Sequence, residues 1–147
     1  MIFPIEWLVV HHTAGPDTPA LEADNIRDYH VRVRRWRDAG YHVLIERVEG
    51  AEVPVILRPW DEPGAHCLPM NRRSLGVALA GNFDETPPDA ATWATALRTL
   101  TWIRRRLELP VDRVIGHREG DPGHTVCPGR HFDMAALRAA LGEAGDG

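Results

Sequence analysis

Short apolar runs of strand length alternate along the chain with longer stretches in which apolar residues recur at helical spacing. Trp7-Leu8-Val9-Val10 leads into His11-His12-Thr13 and stops at Ala14-Gly15-Pro16-Asp17, which predicts a buried strand with both histidines at its C-terminal end. Thr18-Pro19 then offers an N-cap followed by proline at the first helical position. Leu21, Ile26, Tyr29, Val33 and Trp36 carry a helical period from Ala20 to Asp38, and Gly40 closes the segment. Tyr41 to Val48 reads as a strand, Glu49 to Glu52 as a turn, and the residues through Leu57 as the hairpin partner. After a loop-like stretch from Arg58 to Arg73, Ser74 to Gly81 is apolar on both faces, as a central strand should be. Thr86-Pro87-Pro88-Asp89 has the look of a capping box, with Thr86 capping a helix that runs to Leu109. Trp93, Leu97, Leu100, Ile103 and Leu107 would face inward, and Arg104-Arg105-Arg106 would suit the negative end of its dipole. Arg113 to Gly116 predicts a short strand delivering His117, and Phe132 to Ala144 a closing helix.

This order predicts a single α/β domain over residues 1–147, a mixed central β-sheet flanked by about three helices. In such sheets, sites gather in the crevice at strand ends. His11 ends the first strand and His117 follows the last, so the two can share a crevice. Tyr41 begins its strand and would reach that edge only if this strand ran antiparallel to the first.

The chain is long enough to bury a core without disulfides, and its 44% hydrophobic and 26% charged residues are those of a globular protein. A formal charge of -4 gives no reason to expect nucleic-acid binding. All 17 basic residues are arginine, which removes lysine from any catalytic role. Arg32, Arg34, Arg35 and Arg37 read as a solvated helix face in preference to a nucleic-acid patch. No run approaches the ~18 apolar residues that span a bilayer, and no basic-then-apolar leader opens the chain. A monomer that does not insert into membranes, cytoplasmic where it is made, is therefore expected. Cys67 and Cys127 could form one disulfide, but they are no disulfide framework.

Candidate chemistry gathers at Gly116-His117-Arg118-Glu119 and Gly123-His124-Thr125-Val126-Cys127-Pro128-Gly129, a Gly/Pro-rich loop presenting an imidazole and a thiol. Each alone has a bland reading: His11 as a packed strand-end histidine, His117 as a loop histidine, Cys127 as a small buried hydrophobe. Together with His11 they offer two nitrogens and one sulfur with a fourth position open, the donor set of a catalytic zinc site. A rival reading uses the same residues without metal, Cys127 as nucleophile and His11 or His117 as its base.

Four motifs in series carry a family resemblance: Val-Val-His-His-Thr-Ala-Gly, Gly-Tyr-His-Val-Leu-Ile, Gly-Ala-His with Asn-Arg-Arg-Ser-Leu-Gly-Val-Ala-Leu-Ala-Gly, and Gly-His-Arg-Glu with Thr-Val-Cys-Pro-Gly. From about Trp7 to Leu141 the chain resembles the zinc N-acetylmuramoyl-L-alanine amidases, which include amidase-type phage lysozymes and the peptidoglycan recognition proteins. The resemblance implies one Zn2+ per chain held by His11, His117 and Cys127, with His12 outside the ligand set. Adjacent strand residues point to opposite faces, so only one of the two histidines reaches the metal comfortably. It implies catalytic roles for Tyr41 and Thr125, and places His66 and Asn71 along the substrate groove. Cytosolic wall-recycling amidases resemble the chain less, since they carry acidic residues where Ala78 and Ala80 stand and aspartate where Cys127 stands. The implied activity is hydrolysis of the amide between N-acetylmuramic acid and L-alanine in peptidoglycan or muropeptides, in a phage or prophage endolysin. A peptidoglycan-binding module without catalysis, or a cytosolic cell-wall recycling amidase, is the alternative.

Overall fold

The computed structural model describes residues 4–15 and 40–145. The helix expected over residues 20–38 and its Thr18-Pro19 start lie outside the described residues. The apolar runs form strands β1 (Trp7–His12), β2 (Val43–Val48), β3 (Ala51–Ile56), β4 (Ser74–Leu79) and β5 (Val114–Gly116). They make one mixed sheet ordered β3-β2-β4-β1-β5. β1 lies parallel to both β4 and β5, and β2 parallel to β4, while β3 returns antiparallel along β2. The hairpin turn is tighter than the sequence suggests. Glu49 and Gly50 both hold positive φ (51° and 84°), the two-residue geometry that matches strand twist, so Ala51 and Glu52 already belong to β3.

Helix α1 spans Ala90–Leu107. Its cap is Asp89, whose carboxylate accepts from the Thr92 amide at 2.8 Å, and not Thr86. The proline pair explains the shift: Pro88 disfavours helical backbone at Pro87, and the chain stays extended through Asp89. Glu108 ends the helix in the left-handed region at φ 56°. Arg104, in the last turn where a cation suits the helix dipole, is buried. Its guanidinium donates to the carbonyls of Leu109 (3.0 Å), just past the end of α1, and Leu141 (3.2 Å). It thereby ties α1 to the closing helix, which spans Met134–Gly145.

Strand parity divides the sheet. Leu8, Val10, Val43, Ile45, Leu75, Val77 and Leu79 pack with Ala96, Leu100 and Ile103 of α1 and with Leu137 and Leu141 of the closing helix. Each Val, Leu or Ile among them contributes about 1.5–3 kcal/mol when fully buried. Val9, His11, Leu44, Ala78 and Ala80 alternate with them and point the other way. Among the described residues no helix is long and apolar enough to cross a membrane.

The cap assignment has a direct check in urea denaturation. Asp89→Ala should cost about 1 kcal/mol, whereas Thr86→Ala should stay within about 0.5 kcal/mol of the parent. The reverse order would return the cap to Thr86.

Candidate metal centre and active site

β4 is built of alternating large and small residues. Leu75, Val77 and Leu79 enter the helix-covered core, while Ser74, Gly76, Ala78 and Ala80 leave a low floor on the opposite side. Imidazoles occupy that floor. A Cβ added at Gly76 would lie 2.6 Å from Cγ of His66, so the ring rests where any side chain would stand. Ring centroids of His11 lie 4.9 Å from His66, 4.6 Å from His117 and 5.0 Å from Tyr41.

His11 comes from β1, His117 opens the short helix α2 (His117–Gly120) directly after β5, and Cys127 comes from the Gly/Pro loop. Their donor atoms lie within 4.8 Å of one another, with His11 Nδ1 3.7 Å from Cys127 Sγ. Bonds of 2.0–2.3 Å at tetrahedral angles separate zinc ligands by roughly 3.3–3.8 Å, so the set fits that ion with little movement. A cavity of about 380 Å³ opens beside them, and Tyr41, His66 and Thr125 also line it.

Arg118 holds the cysteine loop. Its amide donates to the Cys127 carbonyl (2.7 Å), and its guanidinium reaches the carbonyls of Gly129 (2.8 Å) and Phe132 (2.7 Å). Gly129 sits at φ 117°, and a Cβ there would strike the Phe83 backbone at 2.5 Å, so only glycine lets the loop approach. Glu119 accepts from the Gly116 amide (2.8 Å) and pairs with Arg138 through both oxygens (2.9 and 3.0 Å), locking α2 to the closing helix, α3. It is thus a structural group, and His124 is an exposed loop residue paired with Asp121 at 2.7 Å.

Tyr41 reaches the site by a route different from the one the sequence suggested. β2 runs parallel to β4 and therefore to β1, so the antiparallel condition fails. The site spreads across the sheet face instead of following one edge, and Tyr41, just before β2, packs over Leu44, Ala78 and Ala80 to stand beside His11. His12 points away: its Nδ1 accepts from the Phe83 amide at 3.1 Å, while its own amide donates to Cys127 Sγ at 3.4 Å. Thr125 Oγ1 accepts from the Cys127 amide at 3.1 Å. His66 lines the cavity, but Asn71 does not. Its Oδ1 accepts from the amides of His66 and Cys67 (both 2.9 Å) and shapes the loop behind the cavity. Cys67 is a free thiol buried with Val9 and Met70, apart from the ligand set. Ser74 and Arg118 escaped sequence reading. The small-large alternation of Ser74 to Ala80 was the available signal for the first, and nothing in the local pattern marked the second.

Burial sets the electrostatics. Desolvation, followed by neighbouring imidazoles, holds His11 well below the ordinary histidine range. Burial likewise lowers His117 and pushes the Cys127 thiol up to about 12 and the Tyr41 phenol up from its usual value. All four are neutral near pH 7, which leaves imidazole lone pairs free to bind a cation and a thiol that would release its proton on doing so.

The N-acetylmuramoyl-L-alanine amidase family profile matches residues 3–130. The chain belongs to this family. It is 36% identical to peptidoglycan recognition protein 1 of Bos indicus, over 86% of this chain and 67% of that one. It is 35% identical to the human N-acetylmuramoyl-L-alanine amidase, again over 86% of its own length but only 23% of the human protein. Among solved structures, the Ph2119 endolysin from a Thermus scotoductus bacteriophage superposes with a TM-score of 0.76 at 27% identity, over 94% of this chain and 85% of that one. The family fold and the sheet described above agree, with the site on the face away from α1 and α3.

Neutral buried histidines make this amidase-family domain acid-sensitive. Burial brings His42 to about 4 and His66 to about 3, against 6.5 for an ordinary histidine. Below 6.5 the unfolded chain takes up protons that the folded one refuses, so stability is fully present above 6.5 and falls as pH drops toward 4. Urea midpoints of metal-free protein should decline over that window by up to about 1.4 kcal/mol per pH unit for each histidine. A flat profile would mean that the rings are charged or exposed.

Proposed function

We propose that the protein is a zinc-dependent N-acetylmuramoyl-L-alanine amidase of the endolysin kind, made in the cytoplasm and acting on the wall after release. The observation that carries this reading is the meeting of His11, His117 and Cys127 at one cavity that Tyr41 and Thr125 also line. His11, His117 and Cys127 would hold the ion, which supplies Lewis acidity and a bound water acidified to a pKa of ~7. The reaction adds water across the amide joining the lactyl group of N-acetylmuramic acid to L-alanine, leaving a carboxylate and a free amine.

Tyr41 keeps its proton at neutral pH, because burial raises the phenol, and its O–H donates to the carbonyl oxygen as negative charge develops there. The Thr125 hydroxyl accepts from the Cys127 amide and so keeps its own proton to donate into the cavity. His66 and the loop shaped by Asn71 wall the cavity beside the scissile bond.

Two other readings have an observation behind them. Identity to a peptidoglycan recognition protein favours a binding module without hydrolysis. The 3.7 Å approach of Cys127 Sγ to His11 Nδ1 would suit a cysteine nucleophile. Burial opposes the latter, since it disfavours both the thiolate and the imidazolium of the required ion pair.

Purified peptidoglycan should release stem peptides with new L-alanine amino termini, an activity that chelation abolishes and added zinc restores. Binding without new termini would make the protein a recognition module. Cleavage that survives chelation and dies on thiol alkylation would establish the cysteine mechanism. Tyr41→Phe should lower turnover by about 10²–10³-fold while zinc content stays at the parental level. Unchanged turnover would remove the phenol from the reaction.

A further inference from the structure

We infer that Ser74 and His66 fix the proton on His11, so that the nitrogen facing Cys127 is bare, and that His66 is a positioning residue. The inference rests on the zinc reading for its consequence, but the order of protons stands on hydrogen bonds alone.

The order starts at the Met70 carbonyl, which can only accept. Ser74 Oγ donates to it at 2.7 Å. A hydroxyl has one proton, so toward His66 Nε2, 3.3 Å away, the same oxygen can only accept. Nε2 of His66 therefore carries the ring proton, and Nδ1 of this neutral imidazole is an acceptor. That Nδ1 lies 2.9 Å from His11 Nε2, which must be the donor. The single proton of His11 is thus on Nε2, and its Nδ1 lone pair faces Cys127 Sγ at 3.7 Å. The reverse order would place a proton on Nδ1, where a cation has to sit. Metal-bound histidines commonly gain their tautomer from such an outer partner.

The chain of groups is held where it is. Ser74 is fully buried and His66 is 8% exposed. Gly76 leaves room for the His66 ring, and Asn71 Oδ1 pins the His66 amide at 2.9 Å. Ser74 is too deep to meet a substrate, so its hydroxyl has this one use at the site.

The test compares zinc affinity, by competition with a chromogenic chelator, in the parent, Ser74→Ala, His66→Phe and His66→Asn. Long-range ¹H–¹⁵N spectra of the metal-free parent read the His11 tautomer directly. The expected result is an Nε2–H tautomer at His11, a loss of about 10–100-fold in zinc affinity for His66→Phe and a smaller loss for Ser74→Ala. His66→Asn, whose Oδ1 stands close to the former Nδ1 as an acceptor, should regain most of the loss. Should His66→Phe fail to fold, Ser74→Ala, which deletes one hydroxyl, carries the comparison alone. An Nδ1–H tautomer at His11, or equal zinc affinity in the parent and Ser74→Ala, would overturn the inference. A parent protein that binds no zinc sinks the metal reading instead, and the spectra still decide the proton order.

Discussion

Imidazoles buried against an apolar sheet are costly unless each ring nitrogen has a partner, because an unsatisfied buried polar atom forfeits its hydration without return. Around that constraint the site face is arranged. His42 accepts from the Gly76 amide through Nδ1 and donates to the Glu62 carbonyl through Nε2. His12 accepts from the Phe83 amide, and His66 bridges Ser74 and His11. After these pairings the His11 nitrogen facing the cavity has Cys127 Sγ at 3.7 Å and the His117 donor within 4.8 Å. The position open to a ligand is therefore defined by what surrounds it being satisfied.

The same constraint explains the sequence of β4. Rings can sit close against a sheet only if the strand beneath offers little side chain to displace them, hence Gly76 and Ala78 between Leu75, Val77 and Leu79. A second requirement falls on the cysteine loop, which must bring a thiol to two histidines from an irregular backbone. Arg118 meets it from the adjacent helical turn by donating to three successive stretches of that loop, and Glu119 fastens the turn itself to α3. Rigid support around an irregular segment is what allows loop residues to be placed precisely enough for chemistry.

Much of this was legible in the chain. Strand runs and the mixed sheet follow from local pattern, and His11, His117 and Cys127 stand out because three N/S donors flank turn-forming residues. What local pattern could not deliver depends on long-range pairing. The direction of β2 relative to β1 is set by β4 between them, so the approach of Tyr41 was misjudged. Arg104 carries the charge of a surface residue yet donates to the Leu109 carbonyl just past α1 and to Leu141 of α3, a role visible only once the two helices are packed. Asn71 matched a groove position by motif, but its side-chain oxygen is consumed by the backbone behind the groove.

Strand parity places core and chemistry on consecutive residues. Val10 belongs to the helix-packed side and His11 to the site, as do Val77 and Ala78 one strand over. A slip of one residue in β1 or β4 would exchange the two sets at a stroke, driving imidazole into the apolar core and valine onto the site floor. Misregistered chains therefore cannot persist as folded but inert protein: whatever destroys the site by this route also destroys the fold. Proofreading of the active site is in this sense delegated to the hydrophobic core.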